Sequence, residues 1–150
     1  MAHQLLFDRR KRLALARFSG SFGRRDVEGM DVEVLDFVDR NGACDVVVDF
    51  TTVTDFDVSA DYLRTRGKTP RAMKGFRRAL VAPQLAMFGL LRLYGLHQDA
   101  LDDGPAVVRT LDEAYAVLGI EAPDFEPVQA SAPQRRRRPP PTPTPAACTP

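Results

Sequence analysis

Asp55, Phe56, Asp57, Val58 and Ser59 place two carboxylates and a hydroxyl close together in the chain. A carboxylate pair spaced Asp-x-Asp after a strand can serve as nucleophile and acid in phosphoryl transfer, or as hard oxygen ligands for Mg²⁺ or Ca²⁺. Phosphoryl transfer wants that pair directly on the end of a long apolar strand, with lysine and acidic elements later. Here Thr51, Thr52 and Thr54 intervene, and the chain is too short for the later elements. A cation would need further ligands converging on the pair. Asp49 as a phosphate acceptor would need an acidic pair after the first strand, where Phe18, Ser19 and Gly20 supply none. His3 and His97 have no paired spacing, and Cys44 lacks a basic neighbour to favour the thiolate. There is no Gly-rich phosphate loop and no Ser in a nucleophile-elbow setting. The expectation is a protein without catalytic residues, without a cofactor and without a metal site.

The elements that hold these residues follow from the apolar pattern. Val46, Val47, Val48, Asp49 and Phe50 form a short β-branched run after Asn41 and Gly42 and before Thr51 and Thr52, which predicts a buried central strand. An acidic loop then leads to a helix over 58–66 with Asp57 as its N-cap. Strand, tight loop and helix N-terminus is where functional groups collect in α/β folds.

This stretch resembles the core of STAS domains, the superfamily of bacterial anti-sigma-factor antagonists, whose central strand leads into an Asp-Ser-Ser/Thr-Gly loop. The matching positions are Asp57, Val58, Ser59 and Ala60. The family's phosphorylated hydroxyl falls on Val58, which has none, so the resemblance carries the fold and not the phosphoswitch. Ala82, Pro83 and the run Phe88 to Tyr94 are also similar to uncharacterised bacterial STAS-like proteins, as is the ending that begins at Val107. The resemblance spans roughly residues 3–119 and implies a SpoIIAA-like α/β domain: a mixed sheet of about five strands, about four helices mainly on one side, and an N-terminal β-hairpin.

Along the chain, residues 4–7 and 12–18 predict that hairpin, with Leu13, Leu15 and Arg17 alternating against Ala14, Ala16 and Phe18, and with Gly20 and Gly23 ending it. The four bases at 9–12 are a solvated turn in this reading, with a phosphate patch as the alternative. Val27, Met30, Val34, Phe37 and Val38 mark one face of a helix over 26–40, stopped by Asn41 and Gly42. Residues 78–82 predict a second buried strand, with Pro83 at the handover to the next helix. That helix, over 85–97, is apolar almost all round, so it belongs to the core or presents a face to a partner or ligand. A strand over 106–109 and a helix over 111–118, boxed by Thr110 and Glu113, close the predicted domain at 119.

Composition sets the outer bounds. The 150 residues are 44% hydrophobic, which suits one domain. All 20 acidic residues precede position 130, and without the four arginines at 135–138 the balance is 17 basic groups to 20 acidic. A mildly acidic body argues against nucleic-acid binding, which rests on neutralising phosphates. Two cysteines, Cys44 and Cys148, suggest neither a disulfide framework nor a metal pair and point to a reducing cytoplasm. No run is apolar and long enough to span a bilayer. Residues 120–150, with seven of the 12 prolines after Ala130, are expected to be a disordered Pro/Arg-rich tail.

Together these features lead us to expect a non-catalytic, cytoplasmic protein-interaction module. Its partner would be an unidentified protein meeting Asp55, Asp57, Ser59, Asp61 and Tyr62. The alternative is a small apolar-ligand or lipid-binding domain built on the 85–96 helix, where Met87, Leu90, Leu91 and Tyr94 would form a ligand wall or a homodimer surface. An enclosed apolar cavity of hundreds of cubic ångströms would favour the second reading.

Overall fold

The computed structural model describes residues 2–101 and 104–128. In chain order these are β1 (Ala2–Asp8), β2 (Leu13–Gly23), α1 (Arg24–Asn41), β3 (Asp45–Asp57) and α2 (Ala60–Gly67). They are followed by β4 (Arg78–Val81), α3 (Leu85–Asp99), β5 (Ala106–Val108), α4 (Leu111–Leu118) and β6 (Glu126–Pro127). The fold is α/β, with one mixed sheet of six strands in the order β5-β4-β3-β2-β1-β6. The β1–β2 and β1–β6 pairs are antiparallel; β2, β3, β4 and β5 run parallel.

Central parallel strands are covered on both faces, and their residues sort accordingly. Ala14, Ala16, Val46, Val48 and Leu80 belong to a core cluster completed by α1, α2 and α3, while Leu13, Leu15, Val47, Ala79 and Val81 meet Ala114 and Leu118 of α4. Three helices therefore share one face, and α4 takes the other. Alternation along β2 is what divides Leu13 and Leu15 from Ala14 and Ala16.

Several local expectations change. β3 does not stop near Phe50 but continues to Asp57, because β2 also continues, pairing Ser19 with Thr52 and Gly23 with Asp57. Gly20 is no terminator: at φ +78° it accompanies register shifts on either side of it, and the strand passes through. Of the basic turn, Arg9 and Arg10 are exposed, whereas Arg12 donates to the carbonyls of Asn41 and Ala43 at 2.8 and 3.2 Å. Arg12 also lies over the Phe7 ring, so it ties the hairpin to the end of α1. Pro83 precedes α3 by two residues, and Gln84 takes the N-cap position.

The chain also stays attached beyond 119. Ile120 and Phe125 pack against the α4-side cluster, β6 pairs with β1, and the Val128 amide donates to the Leu5 carbonyl at 2.9 Å. Residues 120–128, expected to belong to the tail, are thus part of the fold, and the portion of that expectation from 129 onward lies outside the described residues. Proximity in space, not apolar period, recruits this segment, which is why no periodicity announced it.

Asp8 holds the return in place. It is buried, and its carboxylate accepts from the backbone amides of Lys11 at 2.9 Å and Asp124 at 2.8 Å. Burial by itself works against the charge, yet the amides of Lys11, Asp124 and Arg10 outweigh it and hold the carboxyl below its usual range. Asp8→Ala should cost about 2 kcal/mol, the scale of hydrogen bonds to a charged group. A group whose pKa is lowered on folding stabilises above its unfolded value, about 3.9. That contribution fades as pH falls through the lower folded value. Urea titrations should therefore show the wild-type advantage over Asp8→Ala at neutral pH and its decline below about pH 4.

Candidate functional site

Under α1 lies a cavity of about 340 Å³. Its origin is a mismatch in side-chain size. α1 is buried only at Val27 and Phe37, ten positions or about 15 Å apart along the helix. At the second of these supports, the Phe37 ring meets Phe7 edge to face at 5.0 Å. Between the supports the helix passes a sheet face bearing Ala14 and Ala16, which are too small to fill the gap left under the half-buried Met30 and Val34.

The walls come from distant parts of the chain. Val46 and Val48 extend the floor, Leu63 of α2 and Met73 of the α2–β4 connection contribute, and Leu91 and Tyr94 of α3 complete the lining. Aromatic rings line it as well: Phe18, Phe22, Phe50 and Phe56 interlock with centroid separations of 4.8 to 5.8 Å. Val58 packs its isopropyl group into this core, being 5% exposed, and also lines the cavity.

Two ion pairs stand on the lining. Arg66 of α2 grips Asp31 of α1 with both terminal nitrogens, at 2.7 and 2.5 Å. Burial disfavours the guanidinium charge, but the Asp31 carboxylate more than offsets that and holds the Arg66 pKa above its ordinary value. His3 of β1 and Glu33 of α1 are joined at 2.6 Å. Both pairs connect α1 to the body beneath it. Arg71 and Arg78 also line the cavity.

Arg78 leads into a network that sequence reasoning missed. Its guanidinium donates to the Tyr94 hydroxyl at 2.7 Å and to Gln98 Oε1 at 2.9 Å. Gln98, 1% exposed, in turn donates through Nε2 to the carbonyls of Gly67 and Thr69, at 2.6 and 3.0 Å. The acceptors and donors around the amide fix which way it points. Gly67 is required here because an added Cβ would lie 2.6 Å from His97 Cβ. α2 and α3 meet at that point too closely for any side chain.

The residues expected to meet a protein partner stand elsewhere. Asp55 and Asp57 are exposed at the end of β3, and Asp55 accepts from the Ser21 hydroxyl at 3.3 Å. Asp57 is not the N-cap of α2. Ser59 is, its Oγ accepting from the Tyr62 amide at 3.1 Å, because the strand runs on to 57 and the helix begins only at Ala60. Asp61 is exposed and bonds Arg64 at 2.7 Å, while the Arg24 guanidinium lies 5.0 Å from the centroid of the half-buried Tyr62 ring. No group of three His, Cys, Asp or Glu side chains that could hold a metal ion occurs among the described residues.

The α3 positions divide. Leu91 and Tyr94 reach the cavity; Met87 is buried in the adjoining core, and Leu90 is half-buried against it. The outward side of the helix carries Leu85 and Leu96, both exposed. No helix among the described residues is long and apolar enough to cross a membrane. Compared with protein-family models and with curated proteins, the chain matches none.

Proposed function

We propose that the protein is a non-catalytic binding domain, STAS-like in architecture, that holds a small apolar ligand or acyl chain between α1 and the sheet. The single observation that carries this is the cavity of about 340 Å³ lined chiefly by Ala, Val, Leu, Met and Phe side chains. Its size is within the range of ligand sites, and the polar groups on its lining would orient what it holds. Burial of apolar surface, at roughly 25 cal/mol per Å², supplies the driving force. Compared with the arrangement expected from sequence, the ligand lies mainly against α1 and β2, with α3 as one wall.

A fluorescent acyl probe tests the assignment. The wild type should bind it, and Ala16→Leu, which thickens the floor, should weaken binding at least about tenfold while leaving the melting temperature unchanged or raised. Val34→Phe fills the same space from α1 and guards against a local effect of one variant. Unchanged probe affinity in both would refute the cavity as the site.

Exposure of Asp55, Asp57, Ser59 and Asp61 favours a second reading, a protein-docking surface at the end of β3. With Val58 turned inward, such docking would have no phosphoswitch at that position. The two readings separate cleanly, since Asp57→Lys and Asp61→Lys should leave acyl-probe affinity untouched.

A further inference from the structure

We infer that the ligand of this cavity is an anionic amphiphile, an acyl chain ending in a carboxylate, and that its head exchanges with Asp31 on Arg66. The inference rests on the apolar-ligand assignment above and adds the headgroup and the way in. Three guanidinium groups, Arg66, Arg71 and Arg78, line the cavity on the segment running from α2 into β4. The carboxylates lining it are Asp31 and Glu33, both on α1, and Glu33 is joined to His3. An apolar chamber with a cationic side suits a chain with a negative end.

The Arg66–Asp31 pair is the point of exchange because its two halves are unequally anchored. The Arg66 side chain is 26% exposed and Asp31 46% exposed. Asp31 can therefore rotate into water at little desolvation cost, whereas the more enclosed Arg66 keeps its charge and is left wanting a carboxylate partner. A ligand carboxylate meets that need with the same two-pronged geometry, so one ion pair replaces another and no charge is stranded. A neutral head would have to leave the original pair intact or break it without compensation. The exchange also removes a tie between α1 and α2, loosening the roof over the cavity as the chain enters.

Decanoate and decanol, identical in chain length, are the probes, with binding measured at neutral pH by displacement of the fluorescent acyl probe. The wild type should bind decanoate about tenfold more tightly, because its head takes the Arg66 fork beside two further guanidinium groups while the freed Asp31 returns to water. Arg66→Gln should erase that preference, so that decanoate and decanol bind the variant alike. Asp31→Asn, which relieves Arg66 of its competitor, should raise decanoate affinity alone. Arg66→Lys, charged but without the fork, should fall between wild type and Arg66→Gln. Equal binding of decanol and decanoate by the wild type would overturn the anionic head and leave the apolar cavity standing. Binding of neither would remove the cavity assignment itself, and this inference with it.

Discussion

Arg17→Met should destabilise the protein by about 3 kcal/mol, the lower end of the range for breaking a buried ion pair. Asp49 is fully buried on the sheet face covered by α4, where its Oδ2 accepts from Arg17 Nε at 2.9 Å and its Oδ1 from the Thr51 amide at 2.9 Å. Methionine keeps most of the stem of Arg17 but leaves the carboxylate with one amide as its partner. The lower end applies because the Arg17 side chain is 39% exposed and part of its attraction is already screened by water. Arg17→Met with Asp49→Asn should recover much of the loss, since the amide oxygen can still accept from Thr51 without a charge to strand. Urea unfolding of the single and double variants gives the coupling directly, and additive losses would show that the pair contributes nothing.

Phe50→Ala should cost about 3–5 kcal/mol, the usual scale for removing a buried aromatic ring. The ring is 4% exposed and touches Phe18, Phe22 and Phe56 at centroid separations of 5.8, 5.1 and 5.8 Å. Because Phe50 also lines the existing cavity, the space it vacates joins that cavity and does not form a separate void. The loss in stability should therefore be accompanied by tighter binding of bulkier acyl probes, which the enlarged chamber admits. Thermal unfolding without and with such a probe measures both, as ligand binding to the folded state restores part of the melting temperature. A variant that melts like wild type would show that the aromatic cluster is not part of the stabilising core.

Much of the architecture was legible because it is written in local pattern. The β-branched run at 46–50, the alternation at 13–18 and the stripe from Val27 to Val38 each report which face of an element is apolar, and the described elements follow them. Thr110 caps α4 as its spacing to Glu113 implies, its hydroxyl accepting from the Glu113 amide at 3.2 Å. Boundaries that depend on a neighbour were less legible. Asp57 looked like a cap because aspartate is a good one, but β2 extends far enough to pair with it, and the cap passes to Ser59. Only the partner strand could decide that, through backbone bonds that carry no residue signature.

By itself, then, the sequence determined the order and type of the main elements and their apolar faces, the absence of recognisable catalytic motifs and the lack of a hydroxyl at position 58. The tertiary structure alone decided the attachment of residues 120–128, the buried Gln98 network and the cavity. Asp8 meets Asp124 and Arg66 meets Asp31 only after the chain has folded back. The cavity is less legible still, because it is a difference of volumes. Ala14 and Ala16 are ordinary small strand residues, and Met30 and Val34 ordinary helix residues. Space appears only where Val27 and Phe37 hold α1 above that alanine floor, so what is missing between two elements cannot be read from the periodicity of either.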